Sequence, residues 1–188
     1  MITHQTSLAG QFLLAMPSID DDRFARAVIL ILSHDAEGAM GFIVNRRADD
    51  LTLGTIIENL PGEIASTGLV NMPIYIGGPV ETNQGFVLHS SAQSGTDAHP
   101  LHHLVVSQTL DILLESAQGK GPDFLRLFLG YAGWSAGQLE DELQENVWLV
   151  APADPGLIFA ANPDELYERV AHRIGIDLTQ LASSGGQA

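Results

Sequence analysis

Residues 28–32 (VILIL) are apolar without a break, the pattern of a strand buried on both faces. Shorter apolar runs at residues 12–16 (FLLAM) and 40–44 (MGFIV) predict two further strands. His34-Asp35-Ala36-Glu37-Gly38 joins the second and third as a β-hairpin with a loop longer than two residues. Residues 74–76 (IYI) and 86–88 (FVL) flank Gly77-Gly78-Pro79 and Glu81-Thr82-Asn83-Gln84-Gly85, which predicts another hairpin. Strands are also expected at residues 104–106, 125–129, 147–150 and 157–159.

Helical spacing follows in four places. Leu53, Ile56, Ile57 and Leu60 stand at i, i+3, i+4 and i+7, and Pro61 ends that run. Leu110, Leu113, Leu114 and Ala117 repeat it, with Ser107 as N-cap and Gly119 as the stop. Leu139 and Leu143 mark a third helix. Asn162-Pro163-Asp164-Glu165 opens a fourth with a cap, a first-turn proline and acids that complement the helix dipole. Leu166, Val170 and Ile174 form its buried stripe, and Gly175 closes it. Hairpins cluster early and helices late, so the chain reads as α+β and not as a doubly wound sheet. No repeat or linker divides it. Residues 1–188 are read as one domain, with ends at 1–9 and 183–188 that fray.

Composition narrows the function classes. Hydrophobic residues make up 45% and charged residues 16%, the balance of a globular protein. The longest apolar run, residues 27–32, falls far short of the ~20 residues of a membrane helix. No basic stretch followed by an apolar core opens the chain, so no secretory signal is read. Zero cysteine excludes disulfides, thiolate metal sites and cysteine catalysis, and fits a cytoplasmic location. The formal charge is −15, from 8 basic and 23 acidic residues. Direct nucleic-acid binding draws its affinity from neutralised phosphates and is disfavoured by that balance. The acidity serves solubility or, on a sharper reading, attracts a basic protein partner.

The strongest catalytic motif is Gly133-Trp134-Ser135-Ala136-Gly137, a literal G-x-S-x-G. A nucleophile elbow needs a strand, a sharp turn carrying serine and then a helix, and the predicted context supplies all three. Asp154 and His172 follow in the chain order of a hydrolase triad. The competing reading is a helix start. Ser135 and Gln138 make S-x-x-Q, a capping box, with Trp134 as a hydrophobic staple on Leu139. That reading employs more of the segment, and His172 falls inside an amphipathic helix, so the helix start is favoured.

Other candidates are thinner. His99, His102 and His103 read as a surface loop, and no metal site is expected. Ser33-His34-Asp35 looks triad-like, but neighbours on a strand face opposite ways. His89 ends a strand and reads as a structural histidine. Successive amides in Gly77-Gly78-Pro79 could hold an anion, yet no P-loop lysine follows, and a turn is the plainer reading. Asn45 either caps backbone groups or points into a cleft.

Four stretches, LLAMPSIDDDRFARAVI, EGAMGFIVNR, YIGGPVETNQGFVLHS and LFLGYAGWSAGQLEDELQENVWLVAPAD, together resemble the AlgH/YqgE family of bacterial proteins from about residue 10 onward. The resemblance implies a mainly antiparallel, bifurcated sheet folded into a pseudo-barrel with about four surrounding helices. It implies no cofactor and no catalytic residues, and the family name carries a role in gene regulation. It also implies that position 135 varies among relatives, often to Glu, and that Tyr167 stands where relatives often carry Trp. The expected function is a non-enzymatic binding or regulatory domain acting on a small ligand or through a protein partner. A serine hydrolase using Ser135, Asp154 and His172 is the alternative. Should the two glycine-rich turns share a cleft, its lining is expected from Asn45, Gly77, Gly78, Pro79, His89, Gly130, Tyr131, Trp134 and Gln138.

Overall fold

A computed structural model describes residues 7–56, 61–91, 104–108 and 110–177. Among these, nine strands form one mixed sheet. They are β1 (Gln11–Ala15), β2 (Val28–Asp35), β3 (Gly38–Ile43), β4 (Arg47–Thr52), β5 (Pro73–Ile76), β6 (Val80–Ser90), β7 (Leu104–Ser107), β8 (Leu125–Ser135) and β9 (Trp148–Pro152). Six helices accompany them: α1 (Leu53–Ile56), α2 (Gly62–Ala65), α3 (Asp111–Ala117), α4 (Gln138–Gln144), α5 (Pro155–Ala160) and α6 (Pro163–Arg173). Every strand pair is antiparallel except β5 with β8. Among the described residues no helix is long and apolar enough to cross a membrane.

The sheet forks at β8. Leu127, Phe128 and Leu129 pair with β5 and also with β6, whereas Ala132 to the strand end pairs with β3. One half of the sheet is therefore β9-β1-β2-β3, the other is built of β4, β5, β6 and β7, and β8 belongs to both. The sheet does not close, because β4, β7 and β9 each pair with one strand only.

Alternation along the strands sorts the apolar side chains into an inner core and two outer layers. Phe12, Leu30 and Phe42 from one half meet Tyr75, Phe86 and Phe128 from the other, with Phe42 stacked on Phe128 at 4.6 Å. α6 closes this inner core with Leu166, Tyr167, Val170 and Ala171. The opposite faces of β1 and β2, carrying Leu13, Ile29 and Ile31, pack with Trp134, Trp148 and Leu139 of α4. Ile74, Val87 and Leu127 face outward on the other half and meet Leu53, Ile64 and Leu113. VILIL is unbroken because Val28 and Leu30 enter the inner core while Ile29 and Ile31 enter an outer layer.

Several expectations change. Residues 157–159 are helical: Asp154 accepts a hydrogen bond from the Gly156 N–H at 2.7 Å and Pro155 begins α5, so a cap and a first-turn proline outweigh three apolar residues. β5 and β6 do not pair with each other, since β8 lies between them. β4 and α2 carried no apolar pattern and were not expected. Ser107 ends β7 and does not cap α3. The first predicted helix is seen as α1 at residues 53–56, and its remainder lies outside the described residues, as do the His99, His102 and His103 loop and residues 178–188. Ser7 and Leu8, at the end expected to fray, bond to the His34 carbonyl and to His34 Nδ1.

Asp154 also joins α5 to α6 through Arg173 at 2.7 Å. That hydrogen bond, aided by the backbone amides it caps, holds its carboxyl below the ordinary aspartate range. A depressed folded-state value means stability that is complete above an unfolded aspartate's ~3.9 and is lost as pH falls through the lower folded value. Asp154→Asn is thus expected to destabilise the protein at pH ~7 and to differ little from the parent at a pH below both the unfolded and the lower folded value. Urea unfolding at the two pH values measures this.

Candidate functional site

The GYAGWS segment is continuous strand. β8 runs to Ser135, which lies opposite Gly38 of the β2–β3 hairpin, so serine ends an extended strand and does not sit on a strained elbow. Its amide N–H donates to Gln138 Oε1 at 3.0 Å and its hydroxyl donates to the same oxygen at 3.2 Å. Half of the expected capping box is present, the glutamine reaching back. The other half is replaced: the N-cap of α4 is Gly137, at φ 78°, and it offers no side chain. Ser135→Ala is therefore expected to change stability by less than about 0.5 kcal/mol in chemical denaturation, below the cost of losing a true cap.

Among the described residues no histidine is hydrogen-bonded to that hydroxyl, whose partner is Gln138. α4 covers the outer face of β1 and β2, whereas α6, with His172 exposed on it, packs against their inner face. Asp154 is engaged by Arg173 and by the start of α5. The half-sheet stands between Ser135 and His172, and Ser135, Asp154 and His172 are not assembled.

What the segment does assemble is a carboxylate clamp. Glu142 Oε2 accepts from the indole N–H of Trp134 at 2.8 Å and of Trp148 at 2.6 Å, while Glu142 Oε1 accepts from Gln138 Nε2 at 2.9 Å. The two indoles meet edge to face at 6.0 Å, and Phe24 meets Trp148 likewise at 5.7 Å. Trp134 and Leu139 share this outer layer, but with Gly137 as the N-cap they are not the N′ and N4 residues of a hydrophobic staple. His34 adds a second tie. Its Nδ1 accepts from the Leu8 N–H, so Nε2 carries the hydrogen and donates to Glu140 at 2.7 Å.

The two glycine-rich turns adjoin, but no cleft separates them. The Gly77 N–H donates to the Leu129 carbonyl and the Gly77 carbonyl accepts from the Ile43 N–H, both at 2.8 Å. Gly77 thus stitches the fork between β8 and β3. A Cβ at Gly77 would lie 2.2 Å from the Gly130 oxygen, and one at Gly78 would lie 2.1 Å from the Tyr131 carbonyl carbon. Gly77, Gly78 and Gly130, with Pro79 following, are sites of backbone contact. Asn45 caps backbone groups: Oδ1 accepts from the Val28 N–H at 2.8 Å and Nδ2 donates to the Arg26 carbonyl at 2.9 Å, holding Arg26 at φ 55°. His89 is buried, with Nδ1 donating to the Ser90 carbonyl at 3.0 Å and Nε2 bonded to the Ser107 hydroxyl at 2.9 Å.

Of the expected lining residues, Tyr131 and Trp134 share an open groove. It measures about 430 Å³ and includes Gly133, Val80, Met40 and, on the β2–β3 hairpin, Asp35 and Glu37. Sequence reasoning missed the hairpin's part in it, because the pairing of β3 with β8 is remote along the chain. Gln138 belongs to the Glu142 clamp. Tyr167 bonds through its hydroxyl to the Ala15 carbonyl at 2.5 Å and lies under the Arg26 guanidinium, and burial raises its hydroxyl pKa.

These features can be set beside known proteins. The AlgH-like family model (DUF179) matches residues 12–179. A UPF0301 protein of Afipia carboxidovorans is 46% identical over 193 residues, covering 97% of this chain and 91% of that one. The UPF0301 protein AlgH of Pseudomonas aeruginosa is 41% identical over 184 residues, covering 97% of each. The solution structure of AlgH from Pseudomonas aeruginosa matches the fold with a TM-score of 0.74 at 39% identity, over the whole of both chains. A crystal structure of a Corynebacterium diphtheriae protein matches with a TM-score of 0.71 at 27% identity, covering 96% and 94%. The family model runs from β1 past α6, so it takes in the fork, the groove and the tryptophan clamp alike, and the chain belongs to the AlgH-like family.

Proposed function

We propose that this chain is a non-enzymatic binding domain that receives a basic segment of a protein partner in the groove beside Tyr131, and that it acts through that partner in gene regulation in the cytoplasm. The observation that carries this reading is the groove's make-up. Tyr131, Trp134 and Val80 give it apolar walls, and Asp35 and Glu37 bring two carboxylates to it. Lysine and arginine lay their stems on apolar surface and keep their charge toward acids, so the groove suits such side chains. The formal charge of −15 draws basic partners and repels nucleic acid. Among the described residues the Ser135 hydroxyl is bonded to Gln138 and not to a histidine, which disfavours serine hydrolysis.

Glu37→Lys and Val80→Lys test the reading, since both side chains are exposed. Affinity capture from a lysate of the encoding organism is expected to retain a partner on the parent protein, to release it with rising salt, and to lose it on both variants. Equal capture by all three proteins would remove the groove from the function.

A further inference from the structure

Arg126 is the one charged residue in the apolar stretch LRLFL of β8. Its side chain points to the inner-core side, and only 8% of the residue is exposed. One guanidinium nitrogen donates to the Val44 carbonyl at 3.1 Å. The guanidinium carbon lies 4.1 Å over the Tyr75 ring and 6.0 Å from the Phe159 ring. Among the described residues no carboxylate pairs with it, although the chain carries 23 acids. A guanidinium stays charged, and a buried charge ordinarily has a counter-ion because desolvation penalises it. The aromatic faces offset part of that penalty, and burial still pushes its pKa down.

A recess of about 370 Å³ lies beside it, within the size range of small-ligand sites. Arg126, Tyr75, Phe159, Phe124, Met72 and Asp123 are among its walls. Phe124 stacks on Phe159 with ring centroids 5.4 Å apart, yet remains 49% exposed, an unusual position for so large an apolar ring.

We propose that this recess binds a small monocarboxylate with an aromatic or apolar body, its carboxylate on the Arg126 guanidinium and its body against Phe124 and Phe159. The guanidinium has five N–H donors, and the Val44 contact uses one nitrogen, which leaves others for the paired oxygens of a carboxylate. The aromatic walls match an apolar body. Exposed Asp123 and the −15 charge of the chain select against phosphates and other multiply charged anions. The recess shares no residue with the Tyr131 groove, so the two proposals stand or fall apart.

Benzoate is the probe, followed by amide chemical shifts of the 15N-labelled protein, with inorganic phosphate in a parallel titration. Saturable benzoate shifts are expected at residues 123–126 and 159, and phosphate should give none there. Phe124→Ala, an exposed position, should keep the spectrum of the folded protein and weaken benzoate binding by about tenfold. Arg126→Met should abolish it. The proposal is overturned if benzoate gives no saturable shift up to about 10 mM, the weak end of specific affinities. It is overturned equally if Phe124→Ala binds as tightly as the parent, or if phosphate binds the recess as well as benzoate does.

Discussion

Gly130→Ala is expected to cost about 3 kcal/mol or more of folding stability, among the largest single-residue effects in the molecule. Gly130 holds φ 67°, and a Cβ there would lie 2.6 Å from the Gly78 oxygen and 2.7 Å from the Val80 oxygen. Both contacts are backbone, so relief requires the fork itself to open. The same fork takes Gly77, whose Cβ would meet the Gly130 oxygen at 2.2 Å. Gly137 is the matched control. Its φ is 78°, but nothing lies within 4 Å of its Cβ position. Gly137→Ala should therefore lose only the left-handed backbone term, roughly 1–2 kcal/mol. Denaturant unfolding of the two variants ranks them, and a Gly130→Ala protein no weaker than Gly137→Ala would mean that the fork is not packed as described.

Glu142→Ala is the second large effect, at about 3 kcal/mol. Trp134 and Trp148 are 7% and 4% exposed, and both indole N–H groups end on Glu142. Truncation strands two donors with little water to replace the carboxylate, and it also frees Gln138, which holds the Ser135 amide. Glu142→Gln keeps an acceptor oxygen of the same reach and should recover about half of the loss. These are the only tryptophans in the chain, so fluorescence-detected urea unfolding reports the clamp directly. Full stability in Glu142→Ala would sink the clamp.

Local pattern carried the parts of the fold that local forces decide. Residues 28–32 announced burial on both faces because alternate side chains enter two different layers. α6 was legible from both ends, since Asn162 accepts from the Asp164 N–H and Gly175 follows at φ 75°. Residues 157–159 were misread because three apolar residues have no period of their own, and the Asp154-Pro155 cap was the stronger signal. The supposed β5–β6 hairpin failed for another reason. Turn residues report that a chain can reverse, not that β8, from later in the chain, will come between the strands. The site was less legible still. Gly77, Gly78 and Gly130 drew notice as a cleft and serve as a close backbone contact. Asn45 and His89 are committed to structural hydrogen bonds. A lone arginine inside LRLFL was the available pointer to Arg126, and its lack of a carboxylate partner among the described residues emerges only in three dimensions.

Residues 130–137 are strand end and helix start, with the Ser135 hydroxyl spent on Gln138. A fluorophosphonate probe followed by intact-mass measurement examines that hydroxyl directly. The parent protein is predicted to remain at its unmodified mass. Stoichiometric labelling that disappears in Ser135→Ala would mean an activated serine and would contradict the account.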